Sequence, residues 1–317
     1  MHVLKPSGSA LSLCAAVILI LLTACTSDDE YSKSVTEFTK ASGTLTQAFQ
    51  TFVSNANLVE ENHYIDDQAF AGQSLSPDKI QAQDILTPKE IALRTAAIKA
   101  LTDYMTALGS LAAGKPAEKI EADAKKAGAS ISGLSSDAAE AFAESAKARK
   151  PGFSGPLSSA VSAIGDVLEL IEKHRGIEEV RASLKKNDPA ISQLFTILSQ
   201  ESTEFYARRQ STLGETGVIL FHDYNTASAK SPANPAELME LTDRIKQYRK
   251  DSAALASSNP AKAIDAFKKA HDALVDVIVS PKQEKKEGIS TVITSIKQFA
   301  NEVQPLAQDL GSLAGSF

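Results

Sequence analysis

Tryptophan is absent from all 317 residues, aromatic residues make up only 6%, and there are just two cysteines. Without Trp, a sugar-binding platform of stacked indoles is excluded. Cys14 and Cys25 both lie near the start, so the rest of the chain has no thiol for a disulfide, a zinc site or nucleophilic catalysis. It must be stabilised by its core. Strand-like runs are just as scarce, the one example being Val218-Ile219-Leu220-Phe221. No basic block is present: 33 Lys and Arg are interspersed with 39 Asp and Glu, giving a formal charge of −6. Nucleic acid is therefore not expected as a partner. Also missing are a Gly-rich phosphate loop, a Gly-x-Ser-x-Gly elbow, a His-Glu-x-x-His and a calcium loop. The expectation is a non-enzymatic chain with no catalytic residues, no cofactor and no metal-site motif.

Long apolar runs are lacking too, apart from one at about 11–22 that follows Lys5. A spanning helix needs about 20 apolar residues, whereas a signal-peptide core needs about 7–15. The far flank is Asp28, Asp29 and Glu30, with no Lys or Arg cluster to stop transfer. A cleaved leader fits better than a retained anchor.

The stretch ends in Leu22-Thr23-Ala24-Cys25, which resembles the lipobox of bacterial lipoproteins. That resemblance implies cleavage after residue 24, a diacylglycerol on the Cys25 sulfur and an acyl chain such as palmitate on the new amino group. Two or more acyl chains hold a protein stably at a bilayer, where one holds it marginally. The mature chain is thus expected to be anchored to a membrane by its N-terminal lipid. Thr26 and Ser27 follow the cysteine, with no Asp directly after it. By resemblance to enterobacterial lipoproteins this implies the outer membrane, facing the periplasm of a Gram-negative host. Residues 25–34 form a short tether, and residues 35–317 the body.

The composition of that body, rich in Ala, Ser, Lys and Glu, suits close-packed helices better than a sheet. Prolines mark the starts, because Pro costs about 3 kcal/mol inside a helix but is tolerated in its first turn. Thr87-Pro88-Lys89-Glu90, Asp188-Pro189, Asn234-Pro235-Ala236-Glu237 and Asn259-Pro260 all read as cap followed by helix. Apolar residues recur at spacings of three and four through Val35, Phe38, Leu45, Phe49, Phe52 and Val59, a heptad seam as in coiled coils. Helices are expected at about 29–62, 88–113, 116–149, 157–174, 177–186, 189–229, 235–257, 260–279 and 284–313. Residues 63–87 read as a long connection or lid. The fold class is all-α, a bundle of long antiparallel helices, with a candidate division into two packed subdomains at "KPGFSGP", Lys150 to Pro156.

Three places invite a chemical reading. Glu60-x-x-His63 would put a carboxylate and an imidazole on one helix face, but a di-iron bundle needs a second such pair and two more Glu. With the helix expected to end near 62, a solvated terminus is the simpler reading. Phe221-His222-Asp223-Tyr224 gathers adjacent ionisable groups that a helix cannot aim at one point. The third place is residues 206–217, "YARRQSTLGETG", a polar interruption with Gly214 and Gly217. It is either a helix break or a polar cleft, with Glu201, Glu204, Arg208, Arg209 and Glu215 near its mouth. The function expected overall is binding or scaffolding beside an envelope protein partner, or else carriage of a small anionic ligand or metal in that cleft.

Overall fold

The computed structural model describes the backbone of residues 10–145, 153–173, 176–279 and 285–314. Side-chain surroundings are described over 30–134, 153–173, 176–279 and 287–308, apart from positions 32, 56, 154 and 257. Residues 1–24, read from the sequence as a leader, and Cys25 lie outside the residues whose side chains are described. Among the described residues the chain is all helical and without strands: α1 (Ala10–Phe70), α2 (Pro77–Gln81), α3 (Pro88–Ala112), α4 (Ala117–Ser145), α5 (Ser154–Glu172), α6 (Ile177–Ser228), α7 (Pro235–Ser257), α8 (Pro260–Val279) and α9 (Lys285–Ala314). Among those residues, no helix is long and apolar enough to cross a membrane.

Three of the four proline starts form as expected. Thr87 and Glu90 make a reciprocal capping box, with Glu90 N–H donating to Thr87 Oγ1 and Thr87 N–H to Glu90 Oε2. Asn234 Oδ1 accepts from Ala236 N–H at 3.1 Å, and Asn259 Oδ1 from Ala261 N–H at 2.9 Å. Such caps contribute about 1 kcal/mol each. Glu237 does not reach back to its cap as expected; it accepts from Lys230 instead, at 2.8 Å.

The fourth start is not one. Pro189 lies inside α6, which runs unbroken from Ile177 through the polar segment 206–217 to Ser228. The missing proline N–H costs one intrahelical hydrogen bond, but the buried stripe of Val180, Leu184, Ile191, Leu194 and Leu198 continues across it. Tertiary packing outweighs the local signal. Val218 to Phe221 is likewise helical, not extended. α1 also outlasts its apolar period, reaching Phe70, because its last turns are held by polar contacts to α6 and α7. The remaining connection is short and pinned: Asn57 donates to Leu86 O and accepts from the N–H groups of Ile85 and Leu86. At the end of α3, Gly114 (φ 62°) closes a Schellman turn, with Lys115 N–H on Ser110 O and Gly114 N–H on Leu111 O.

Seven helices close a ring of packed neighbours in the order α1, α3, α4, α5, α6, α8, α9 and back to α1, while α7 lies against α6 and α9. Short links between α3 and α4 and between α5 and α6 make those neighbours antiparallel. Inside the ring, Phe267 of α8 meets Phe299 of α9 (5.0 Å between centroids), Phe38 of α1 (5.6 Å) and Phe195 of α6 (5.1 Å). One buried cluster contains these rings together with Leu101 of α3, Ala127 of α4 and Val167 of α5. It therefore draws on residues from both sides of the 150–156 segment.

α3 and α4 are also joined by a buried carboxylate. Asp103, only 4% exposed, accepts from Lys99 (2.8 Å), Lys126 (2.7 Å) and Ser130 (2.7 Å). Burial pushes this carboxyl up, but those hydrogen bonds and the Lys99 charge hold it below its ordinary value. A depressed folded-state value means the stabilisation is complete above the unfolded value, about 3.9. It is lost as pH falls through the folded one. Asp103→Asn should cost about 1–2 kcal/mol at pH 7, since hydrogen bonds to charged groups contribute about 1.5–3 and both lysines are half-exposed. Urea midpoints at pH 7 and pH 3 check this. The variant should lose less stability than the wild type between the two, and an equal loss would contradict the assignment.

Candidate functional site

The five residues singled out around the polar segment lie on successive turns of α6, and the structure does not gather them all. Glu201 turns to α3, where Arg94 Nε and Nη2 each donate to it at 2.8 Å. The Arg94 guanidinium also lies over the Phe153 ring, 4.7 Å from its centroid, so this pair ties three helices. Glu204 is exposed. Arg208 is half-exposed and donates to Glu60 of α1 at 2.8 Å, and Glu215 sits 3.2 Å from His63 Nε2. Thr212 donates to Glu60 at 2.7 Å, and His63 Nδ1 is 3.2 Å from Thr216 Oγ1. Glu60 and His63, expected to be a solvated helix end, thus clasp α1 to α6.

Arg209 points the other way. Adjacent residues on a helix differ in direction by about 100°, which takes Arg209 into the interior while its neighbour faces out. It is 0% exposed, and none of its three guanidinium nitrogens has a hydrogen-bond partner among the described residues. The Phe52 ring lies 6.0 Å away. Burial pushes its value down to about 10, with the Asp251 carboxylate of α7 pulling it back up, so it remains charged at neutral pH. An unpaired buried charge costs several kcal/mol.

One turn further along α6, at Leu213, a groove of about 170 Å³ opens between α1, α6 and α7, reached by His63, Asp66, Leu213, Tyr248 and Asp251; Arg209 does not line it. Gly217 makes the close approach of α7 possible, because a Cβ there would lie 2.4 Å from Tyr248 Cζ. Gly217 is thus a packing residue in an unbroken helix. Arg244 donates to Asp66 at 2.6 Å and closes the α1–α7 side. Pockets for drug-sized ligands occupy about 300–1,000 Å³. This one admits a small ion or one inserted side chain, not a nucleotide.

A second polar group lies at the end of the aromatic core. His271 of α8, 0% exposed, packs against Phe195 and Tyr104. Its Nδ1 is 3.3 Å from Asp272 Oδ1 and 3.7 Å from Asp188 Oδ1. Burial pushes the Asp272 carboxyl up, but His271 and Lys268 together hold it below the ordinary range. Tyr104 is raised by burial and by the Asp188 charge, so its phenol stays neutral. Sequence reasoning missed this group. Asp188 reads as a cap because Pro189 follows it, and His271 has no Glu three residues before it. Their proximity exists only once α6 is continuous and packed on α8.

A scan against protein-family models finds no match to this chain, and neither do searches of curated proteins and of solved structures.

Proposed function

We propose that this chain is a lipid-anchored, non-enzymatic binding protein of the bacterial cell envelope, offering helical surfaces to an envelope protein partner. The observation that carries this reading is Leu22-Thr23-Ala24-Cys25 directly behind a leader-length apolar run. Thr26 and Ser27 favour the outer membrane, facing the periplasm. At about 1.5 Å per residue, α1 separates Glu30 from Asp66 by roughly 54 Å. On this reading the α1/α6/α7 groove lies toward the end of α1 remote from the lipid. Cys25→Ala should abolish acylation and release or mislocalise the protein, as read by labelled palmitate incorporation and membrane fractionation. Unchanged fractionation with the leader still attached would instead identify a transmembrane anchor.

A second reading, carriage of a small anion, is favoured by Arg209: a charged guanidinium whose three nitrogens have no hydrogen-bond partner among the described residues, one helical turn from Leu213 in the wall of the groove. Guanidinium pairs with carboxylate and phosphate in a planar, two-pronged way. A buried guanidinium with no hydrogen-bond partner carries a desolvation cost that an apolar side chain of similar size does not. Arg209→Met should therefore keep or raise the melting temperature while removing binding of succinate or inorganic phosphate. Arg208→Gln should change stability by only about 0–1 kcal/mol. Titration of the Arg209 Nε–H resonance with each anion is the check. A resonance unmoved by either would leave the guanidinium as a purely structural charge.

A further inference from the structure

We propose that Asp188, His271 and Asp272 form a site for one divalent first-row transition-metal ion, held between α6 and α8. The three donor atoms, one from each residue, lie within 4.8 Å of one another. Nδ1 of His271 is 3.3 Å from Asp272 Oδ1 and 3.7 Å from Asp188 Oδ1. Metal–nitrogen and metal–oxygen bonds of about 2.0–2.2 Å in tetrahedral zinc sites put neighbouring donors about 3.3–3.5 Å apart. The two spacings from His271 Nδ1 are close to that range, and the third, between the carboxylate oxygens, is at most 4.8 Å.

The chemistry of the group argues in the same direction. A buried histidine is satisfied by one carboxylate on Nδ1; here two converge on it, and like charges brought together oppose each other. Asp188 Oδ1 is buried with no hydrogen-bond partner, an expensive state for a carboxylate oxygen that a cation would relieve. Two further buried atoms nearby have no hydrogen-bond partner among the described residues: His271 Nε2 and the hydroxyl of Tyr104. Tyr104 is 0% exposed, and its ring lies 5.9 Å from that of His271. When Nδ1 binds a metal, Nε2 must carry the proton, and ligating imidazoles commonly donate that proton to a neighbouring acceptor. Lys268 occupies Asp272 Oδ2 at 2.7 Å, which leaves Oδ1 as that residue's donor.

One imidazole with two carboxylates suits Zn²⁺ or Mn²⁺ better than Mg²⁺ or Ca²⁺, which prefer all-oxygen sets. Asp188 and Asp272 are partly exposed, so water can complete the coordination. The apolar core does not depend on this ion, and the metal-free protein should remain helical.

Isothermal titration of the full lipidated chain in detergent, stripped with chelator, tests the site with Zn²⁺ as the probe. The expected result is one Zn²⁺ per chain, with Mg²⁺ and Ca²⁺ at least 100-fold weaker. Asp188→Asn and Asp272→Asn should each weaken Zn²⁺ on the order of 10–100-fold or more, with unchanged circular dichroism. These two variants decide the matter even if His271→Gln fails to fold. Co²⁺ should give visible d–d bands in the wild type that both Asn variants lose. Absence of stoichiometric Zn²⁺ binding, or binding that survives either Asn substitution, would overturn the assignment.

Discussion

Everything in this fold turns on the packing of Phe267. Its ring stacks on Phe299, meets Phe38 and takes the edge of Phe195, so one side chain touches aromatic residues of three other helices. Truncating a buried Phe to Ala costs about 3–5 kcal/mol, a large part of the 5–15 kcal/mol that keeps a typical domain folded. With no disulfide in the body of the chain, that core has to hold the ring of helices closed. The long, thin elements follow from it, because each can bury a narrow apolar stripe only by staying in register with the same centre.

The polar residues inside the ring are arranged against this background in three ways. Asp103 is fully satisfied and ties α3 to α4. The Arg94–Glu201 pair, bidentate and covered by Phe153, ties α3 to α6 and to the start of α5. Arg209 and the Asp188–His271–Asp272 group differ, because each leaves buried polar atoms without hydrogen bonds. Buried polar atoms are nearly always paired in folded proteins, so these are two places where the described interior is chemically incomplete. They lie in separate regions, one a helical turn from the α1/α6/α7 groove and one at the end of the aromatic core. The reading as a binding protein and the proposed cation site therefore stand or fall independently.

Helix type and most helix ends were legible in the sequence. The period of three and four through Val35, Phe38, Leu45 and Phe49 and the caps at Thr87, Asn234 and Asn259 express local physics that survives packing. What local signals could not supply was continuity. Pro189 and Gly217 both read as interruptions, yet α6 passes through both: the first is carried by the flanking buried stripe, and the second is required by Tyr248. The orientation of neighbours was also hidden. Arg208 and Arg209 look equivalent side by side, but one faces solvent and the other Phe52. Glu60 and His63 looked like a fraying end because their partners on α6 are some 150 positions away. The site at Asp188 and His271 was hidden for the same reason.

The account depends most on one apolar core joining the helices before the 150–156 segment to those after it. Native-state hydrogen exchange across a urea series measures this directly. The slowest amides of α3, beside Leu101, and of α8, beside Phe267, should converge on one opening free energy with the same urea dependence, as a single cooperative unit requires. Two distinct values, with α3 and α4 opening while α8 and α9 stay closed, would contradict it.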